Sequence, residues 1–152
     1  MVPVIETSRL ILRNSSIKDA HDMYEYSCTD LVGPYAGWAP HTSIHETIGV
    51  ISMFQAQAHR TGLGVFAIIL KENNKMIGTI ELFNHYANFK AEMGYALNPK
   101  YWGKGIVPEA ATALLHYGFE ELNLKRVEIN LFVDNYQSER KRKKLGLTLE
   151  GI

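Results

Sequence analysis

A short apolar segment, a glycine-rich loop and an amphipathic segment follow one another in the second half of the chain, and this succession constrains the fold most. Residues 91–97 are apolar on both faces and contain no proline, which predicts a buried strand. Gly103 and Gly105 permit backbone dihedrals that a Cβ would block, so successive N–H groups can turn toward one point. A helix over residues 108–122 should follow, since Pro108 is tolerated in a first helical turn. Converging amides before a helix N-terminus are typical of a phosphate-binding site.

The glycine spacing does not match two other phosphate-binding loops. The dinucleotide fingerprint requires three glycines after a first strand, and the nucleoside-triphosphatase loop requires Gly-Lys followed by Ser or Thr. Here Lys104 is followed by Gly105. A glycine-rich turn that only joins a strand to a helix is the alternative interpretation.

Length and composition predict one globular domain, residues 1–152, with 46% apolar and 21% charged residues. Sixteen basic and sixteen acidic residues cancel, which does not favour nucleic acid or a membrane as partner. The single cysteine, Cys28, excludes an internal disulfide and is expected to be a buried thiol in a cytoplasmic protein. The first residues show no signal-peptide pattern, and no apolar run approaches membrane-spanning length.

Hydrophobic periodicity predicts the remaining elements. Strands are expected at residues 8–13, 65–70, 76–82 and 126–133, and helices begin at Ser16 and Ser43, with the second running over 44–60. Helix 108–122 would connect strands 91–97 and 126–133 as a βαβ unit with parallel pairing. The sequence therefore predicts an α/β domain with a mixed sheet.

Short motifs recur in order along residues 7–151. They are TSRLILR at 7–13, DA at 19–20, EMGY at 92–95, WGKG at 102–105, EA at 109–110, YGF at 117–119, and N-x-x-S at 135–138 with LG at 145–146. Their order and separations resemble the GNAT superfamily of N-acetyltransferases, in the branch that acetylates the N-terminal alanine or serine of ribosomal proteins. Gly105 matches the central glycine of the family's acetyl-CoA signature, whereas Trp102 and Val107 depart from its ends.

The resemblance implies a GNAT-like mixed central sheet flanked by helices, with acetyl-CoA as co-substrate. Strands 91–97 and 126–133 would splay apart, with the pantetheine arm in the gap and the pyrophosphate on the loop amides. The histidines lack metal-ligand spacing, so no metal is expected. The residues expected to contact acetyl-CoA are Tyr95, Ala96, Leu97, Trp102, Gly103, Lys104, Gly105, Ile106, Val107, Asn135, Ser138 and Lys141.

The resemblance also implies direct attack of an amine on the thioester, for which Glu92 is the expected general base. Glu81, Glu128 and a chain of water molecules are the alternatives. Ser138 would donate a proton to the leaving thiolate. Asn135 would lie beside the sulfur, or would cap the helix that begins near residue 136.

Three side chains are expected to line the acceptor pocket, because the loop between the first two helices borders the acceptor site in this family. They are Tyr35, Trp38 and His41. A loop folded down over the core would use the same aromatic side chains, and this alternative stays open.

The C-terminal region departs from the family pattern in two ways. Residues 140–144 are all basic and leave no apolar stripe, so they would be solvated, bind CoA phosphates through Arg140 and Lys141, or form a less favoured nucleic-acid patch. The resemblance also implies a further C-terminal strand, so an end at Ile152 is expected to leave this region shortened. We expect the open edge of strand 147–151 to cause homo-oligomerisation or impaired activity.

The acceptor implied is a primary amine, either a protein N-terminus or a small amine such as a polyamine or an amino-sugar. A non-catalytic acyl-CoA-binding or regulatory domain is the alternative function.

Overall fold

The computed structural model describes residues 3–61, 64–86, 90–122 and 126–129. Within these ranges the chain forms one sheet whose strands lie in sequence order. The strands are β1 (Ile5–Glu6), β2 (Leu10–Asn14), β3 (Val65–Leu70), β4 (Lys75–Tyr86), β5 (Lys90–Leu97) and β6 (Arg126–Ile129). Pairing is antiparallel from β1 to β5 and parallel between β5 and β6. The predicted mixed sheet and its parallel βαβ connection are confirmed.

Four helices cover the sheet in the described part of the chain: α1 (Ala20–Ser27), α2 (Gly33–Ala36), α3 (Ile44–Thr61) and α4 (Ile106–Glu120). The predicted start at Ser16 is confirmed, because Ser16 and Asp19 form a capping box on a short 3₁₀ turn before α1. No helix among these residues is both long and apolar enough to span a membrane.

The sheet carries a core on each face because β3 is buried along its whole length. Phe66 and Ile68 pack with Leu114 of α4 on one face. Ala67 and Ile69 belong to the cluster on the other face, which α1 and α3 cover. The two faces therefore have different helical covers, α4 on one and α1 with α3 on the other.

Several boundaries differ from the sequence-based prediction. Helix α4 begins at Ile106 rather than Pro108, because Gly105 in a left-handed conformation (φ 74°) is its N-cap. The two-residue strand β1 was missed because it is too short to show a period. Cys28 is exposed rather than buried, since it follows the last residue of α1 as its C-cap.

Other predictions fall outside the described residues. These are the end of strand 126–133, the N-x-x-S motif, the basic segment 140–144 and strand 147–151 with its edge.

Two glycines provide a matched test of the packing between β4 and β5. A Cβ at Gly78 would lie 2.3 Å from the Ala96 carbonyl oxygen, whereas a Cβ at Gly49, exposed on α3, meets nothing within 4 Å. We expect Gly78→Ala to lower the free energy of unfolding by about 1–3 kcal/mol. Gly49→Ala should raise it by about 0.5–1 kcal/mol, because alanine favours a helix interior. Urea denaturation measures both, and an unchanged Gly78→Ala would contradict the close approach.

Candidate functional site

The end of β5 directs its main-chain groups alternately to its two neighbours. The Asn98 N–H donates to the Ile77 carbonyl oxygen at 2.8 Å, so Asn98 faces β4. Because this direction alternates along an antiparallel strand, Ala96 also faces β4. The main-chain groups of Tyr95 and Leu97 face the opposite edge, on the side of β6. Of the three residues 95–97 that are expected to contact acetyl-CoA, Tyr95 and Leu97 therefore direct their main-chain groups away from β4, whereas Ala96 directs its own toward β4.

The loop between β5 and α4 contains two residues in the left-handed region, Gly103 (φ 78°) and Gly105 (φ 74°). The first hydrogen bond of α4 runs from the Glu109 N–H to the Gly105 carbonyl oxygen at 3.2 Å. The N–H groups of Ile106 and Val107 precede it and have no intrahelical acceptor. Lys104 is exposed, with its Nζ 5.6 Å from the centroid of the Tyr101 ring. This is the arrangement expected for an anion site.

The side chain of Arg9 fixes the orientation of this loop. Its Nη1 donates to the Lys104 carbonyl oxygen at 2.8 Å, and its Nη2 donates to that of Gly105 at 3.2 Å. In a trans peptide the N–H points opposite to the C=O of the same plane. Arg9 therefore holds the N–H groups of Gly105 and Ile106 pointing away from itself, with their donors together on the far side of the loop.

Glu109 of α4 in turn holds Arg9. Its Oε1 accepts from Arg9 Nε at 2.7 Å, and its Oε2 accepts from the Arg9 main-chain N–H at 3.0 Å and from the Thr7 hydroxyl. Burial opposes ionisation, but the hydrogen bonds from Thr7 and Arg9 outweigh it and lower the pKa of Glu109. The carboxylate is thus charged at neutral pH and couples β2 to the start of α4.

A second set of contacts anchors the loop to β5 and α1. The Trp102 indole Nε1 donates to the Leu97 carbonyl oxygen at 2.9 Å. Asn98 is buried, and its Nδ2 donates to Glu25 Oε2 at 2.6 Å. Lys75 donates to both Glu25 oxygens at 3.0 Å. The structure thus gives Trp102 a packing role at the end of the strand.

A pocket of about 390 Å³ opens on the sheet face beneath α1 and α3. Its floor is formed by two cross-strand pairs, Glu81 opposite Gly94 and Thr79 opposite Ala96. Paired residues share a face of the sheet, and the small side of each pair leaves room above the strand. The pocket therefore lies directly above β5 on this face of the sheet, next to the strand end that leads into the loop.

Tyr35, Trp38 and His41 all line this pocket, and their contact with an acceptor stays a prediction. The Trp38 and His41 rings lie 5.2 Å apart, and His41 Nδ1 is 2.7 Å from the Thr47 hydroxyl. His41 is buried, and this burial, partly offset by Glu46, lowers its pKa. The imidazole is therefore neutral at physiological pH.

Glu81 is the acidic side chain among the described residues that line the pocket. It is mostly buried, and burial raises its pKa. Glu92 lies two residues from Gly94 along β5 and pairs with Phe83. Residues two apart on a strand share a face, so Glu92 is on the same sheet face as Glu81. It is half-buried and stands outside the pocket lining. The assignment of Glu92 as base stays a prediction.

Asn135, Ser138 and Lys141 lie outside the described residues. The sequence predicts no functional role for Arg9 or for the apolar pocket wall of Met23, Val50, Met53 and Phe54. The TSRL motif contained the signal for Arg9, but the contact joins residues about a hundred positions apart and needs the folded sheet. The wall residues have helical spacing that also fits simple core packing.

A loop with the geometry of a phosphate site beside a pocket that contains one half-buried carboxylate is an arrangement that a group-transfer enzyme can use. Residues 9–148 match the family model of the acetyltransferase (GNAT) domain. The chain is 34% identical to the uncharacterized N-acetyltransferase YoaA of Bacillus subtilis, over all of this chain and 86% of that protein. It is 37% identical to the ribosomal-protein-serine acetyltransferase of Escherichia coli, over 61% of this chain and 52% of that protein.

The fold agrees with this assignment. The solved structure of the microcin C7 self-immunity acetyltransferase MccE, in complex with acetyl-CoA and AMP, superposes with a TM-score of 0.81 at 25% identity. It covers 95% of this chain and 82% of its own. The chain belongs to the GNAT family of acetyltransferases, and the expected GNAT fold and acyltransferase class are confirmed.

Proposed function

We propose that this protein transfers the acetyl group of acetyl-CoA to a primary amine bound in the pocket beneath α1 and α3. The observation that carries the proposal is the position of β5. Gly94 and Ala96 line the pocket, while Leu97 leads directly into the loop whose amides Arg9 orients. One strand end thus borders both the acceptor pocket and the anion site.

The loop fits the pyrophosphate of acetyl-CoA. The N–H groups of Gly105, Ile106 and Val107 lie at the positive end of the α4 dipole. The positive φ values of Gly103 and Gly105 are the conformations that bring these donors together. Lys104 adds a cation at the same place, with its side chain in solvent. The amides of Tyr95 and Leu97 are proposed to meet the pantetheine, and Trp102 to pack at the same strand end.

The chemistry that these residues support is direct aminolysis of a thioester. The amine nitrogen forms a bond to the acetyl carbon, the carbon–sulfur bond breaks, and CoA leaves as a thiolate. Main-chain N–H groups of β5 that face away from β4 would stabilise the charge that develops on the carbonyl oxygen. Ser138 remains the proposed proton donor to the thiolate, which needs little assistance because thiols are acidic at about pKa 8.5.

Glu81 is proposed as the general base in preference to Glu92. An alkylamine enters as an ammonium ion and must lose a proton before it attacks. Glu81 lies on the pocket floor, and its raised pKa makes it a better proton acceptor near neutral pH than an ordinary carboxylate. His41, which is neutral and lines the same pocket, would position the acceptor.

The acceptor is proposed to be a primary amine, with a protein N-terminus and a small amine as the two sources. The similarity to a ribosomal-protein-serine acetyltransferase supports the first source. The pocket is compatible with either, because it admits one amine-bearing group above the β4–β5 pairs. The protein N-terminal branch therefore stays a proposal.

Placing a charge on the loop tests the phosphate site. Gly105→Glu is expected to abolish measurable acetyl-CoA binding in calorimetry, because its φ of 74° disfavours any side chain and the carboxylate repels the diphosphate. The control is Gly103→Ala, which has the same backbone strain but no atom within 4 Å of the added Cβ. It should bind acetyl-CoA within about tenfold of wild type. Unchanged binding by Gly105→Glu would refute the loop assignment.

Removing the Arg9 side chain tests its positioning role. Arg9→Ala should weaken acetyl-CoA binding roughly tenfold, since about 1.4 kcal/mol of loop order is lost, while the melting temperature shifts little. Lys71→Ala is the control, because it removes an exposed ion pair with Glu6 that does not touch the loop. A large fall in melting temperature with unchanged affinity would assign Arg9 to stability alone.

Two matched variants distinguish the candidate bases. Glu81→Gln should lower kcat by about 10²- to 10⁴-fold with acetyl-CoA affinity retained. In wild type, kcat/KM should fall as the pH drops through the raised pKa of Glu81, above the ordinary glutamate value of about 4.3, and this limb should vanish in the variant. If Glu92→Gln shows these changes and Glu81→Gln does not, Glu92 is the base.

A further inference from the structure

The pocket wall above the catalytic floor is almost entirely apolar. Met23 of α1 and Val50, Met53 and Phe54 of α3 form the side opposite β5. Met53 is 60% exposed and Tyr35 is 44% exposed, although both are large apolar side chains next to the opening. Exposed apolar groups around a concave site indicate a surface that a ligand covers.

The lining carries at most one negative charge among the described residues. Glu81 supplies it. His41 is neutral because burial lowers its pKa, and Tyr26, at the base of the pocket, stays a phenol because burial raises its pKa. The hydroxyl of Tyr26 is already engaged with Thr79. The lining therefore offers one site for a cation, and Met23, Val50, Met53 and Phe54 opposite it offer no hydrogen-bond acceptor on a nitrogen or oxygen atom.

Acceptors with a second charge or many hydroxyls fit this wall poorly. An additional ammonium group would leave water for a surface without a second carboxylate. A sugar hydroxyl placed against Met23, Val50, Met53 or Phe54 would lose its water without gaining a side-chain partner. An apolar frame, in contrast, gains about fourfold in affinity for each methylene that it buries.

We propose that the acceptor carries its amine on an apolar carbon frame, aromatic or branched aliphatic, with no second charge near the amine. This inference rests on the proposed transferase function and narrows its substrate class. The amine nitrogen lies at Glu81, and the frame lies between Tyr35 and the α3 side chains Val50, Met53 and Phe54. A small arylalkylamine and a peptide N-terminus with an apolar first side chain share this chemistry.

A panel of five amines tests the proposal: phenethylamine, spermidine, glucosamine, and the tripeptide amides Phe-Ala-Ala and Lys-Ala-Ala. Thiol release from acetyl-CoA measures transfer, and calorimetry on CoA-loaded protein measures binding without turnover. We expect an apolar amine to exceed spermidine and glucosamine by at least about tenfold in kcat/KM and in affinity. Phenethylamine and Phe-Ala-Ala separate the two sources, and Lys-Ala-Ala tests the second charge within the peptide source.

A charge at the rim provides the variant test. Met53→Glu adds the missing second carboxylate and should shift the ratio of spermidine to phenethylamine affinity roughly tenfold toward spermidine. Phe119→Glu is the control, because Phe119 is also an exposed apolar residue but lies on α4, which covers the other face of the sheet. It should leave the ratio unchanged.

Three outcomes would overturn the inference. The first is that wild type prefers spermidine or glucosamine. The second is that Met53→Glu does not change the ratio of spermidine to phenethylamine affinity. The third is that no amine of the panel is acetylated or bound. Each outcome is read together with acetyl-CoA binding. If the protein binds acetyl-CoA but prefers a charged amine or binds no amine of the panel, the acceptor class is wrong, whereas a protein that does not bind acetyl-CoA contradicts the transferase proposal itself.

Discussion

The antiparallel pairing of β4 with β5 is the contact on which both parts of the site depend. It places Glu81 opposite Gly94 and Thr79 opposite Ala96, so the carboxylate and the open floor share one face. A one-residue slip of β4 would send the carboxylate to the face that α4 covers, and a one-residue slip of β5 would turn the amides of Tyr95 and Leu97 back toward β4. Gly78 helps to fix this pairing, because its missing Cβ leaves room for the Ala96 carbonyl.

The loop after β5 is held from both sides by groups that are distant in sequence. Arg9, the residue before β2, donates to two carbonyl oxygens of the loop and is itself bound by Glu109. On the other side, Trp102 and Asn98 bind the loop to the end of β5 and to β4. Orienting the carbonyls is an indirect way of orienting the amides, and it leaves the donors unobstructed by side chains. Preorganised donors need no rearrangement when an anion binds.

The sequence predicts the strands and helices with strong periods, the capping box at Ser16 and the parallel connection around α4. These depend on residues near one another in the chain. It misplaces the start of α4, because a glycine in the left-handed region can cap a helix before a proline that looks like its first turn. It does not predict Arg9's role, which needs β2 and α4 to be neighbours. Choosing between Glu81 and Glu92 depends on which pair of residues lies under the pocket, and only the register shows that.

The most direct test of this account is to follow the backbone amide resonances of the protein by NMR during a titration with acetyl-CoA. Binding of the pyrophosphate to the loop should cause large, saturable downfield shifts of the Gly105 and Ile106 amide resonances and should also shift that of Leu97. The Ala96 amide resonance should stay in place, because this amide faces β4 before and after binding. If acetyl-CoA shifts other amide resonances while those of Gly105 and Ile106 do not change, the loop is not the phosphate site.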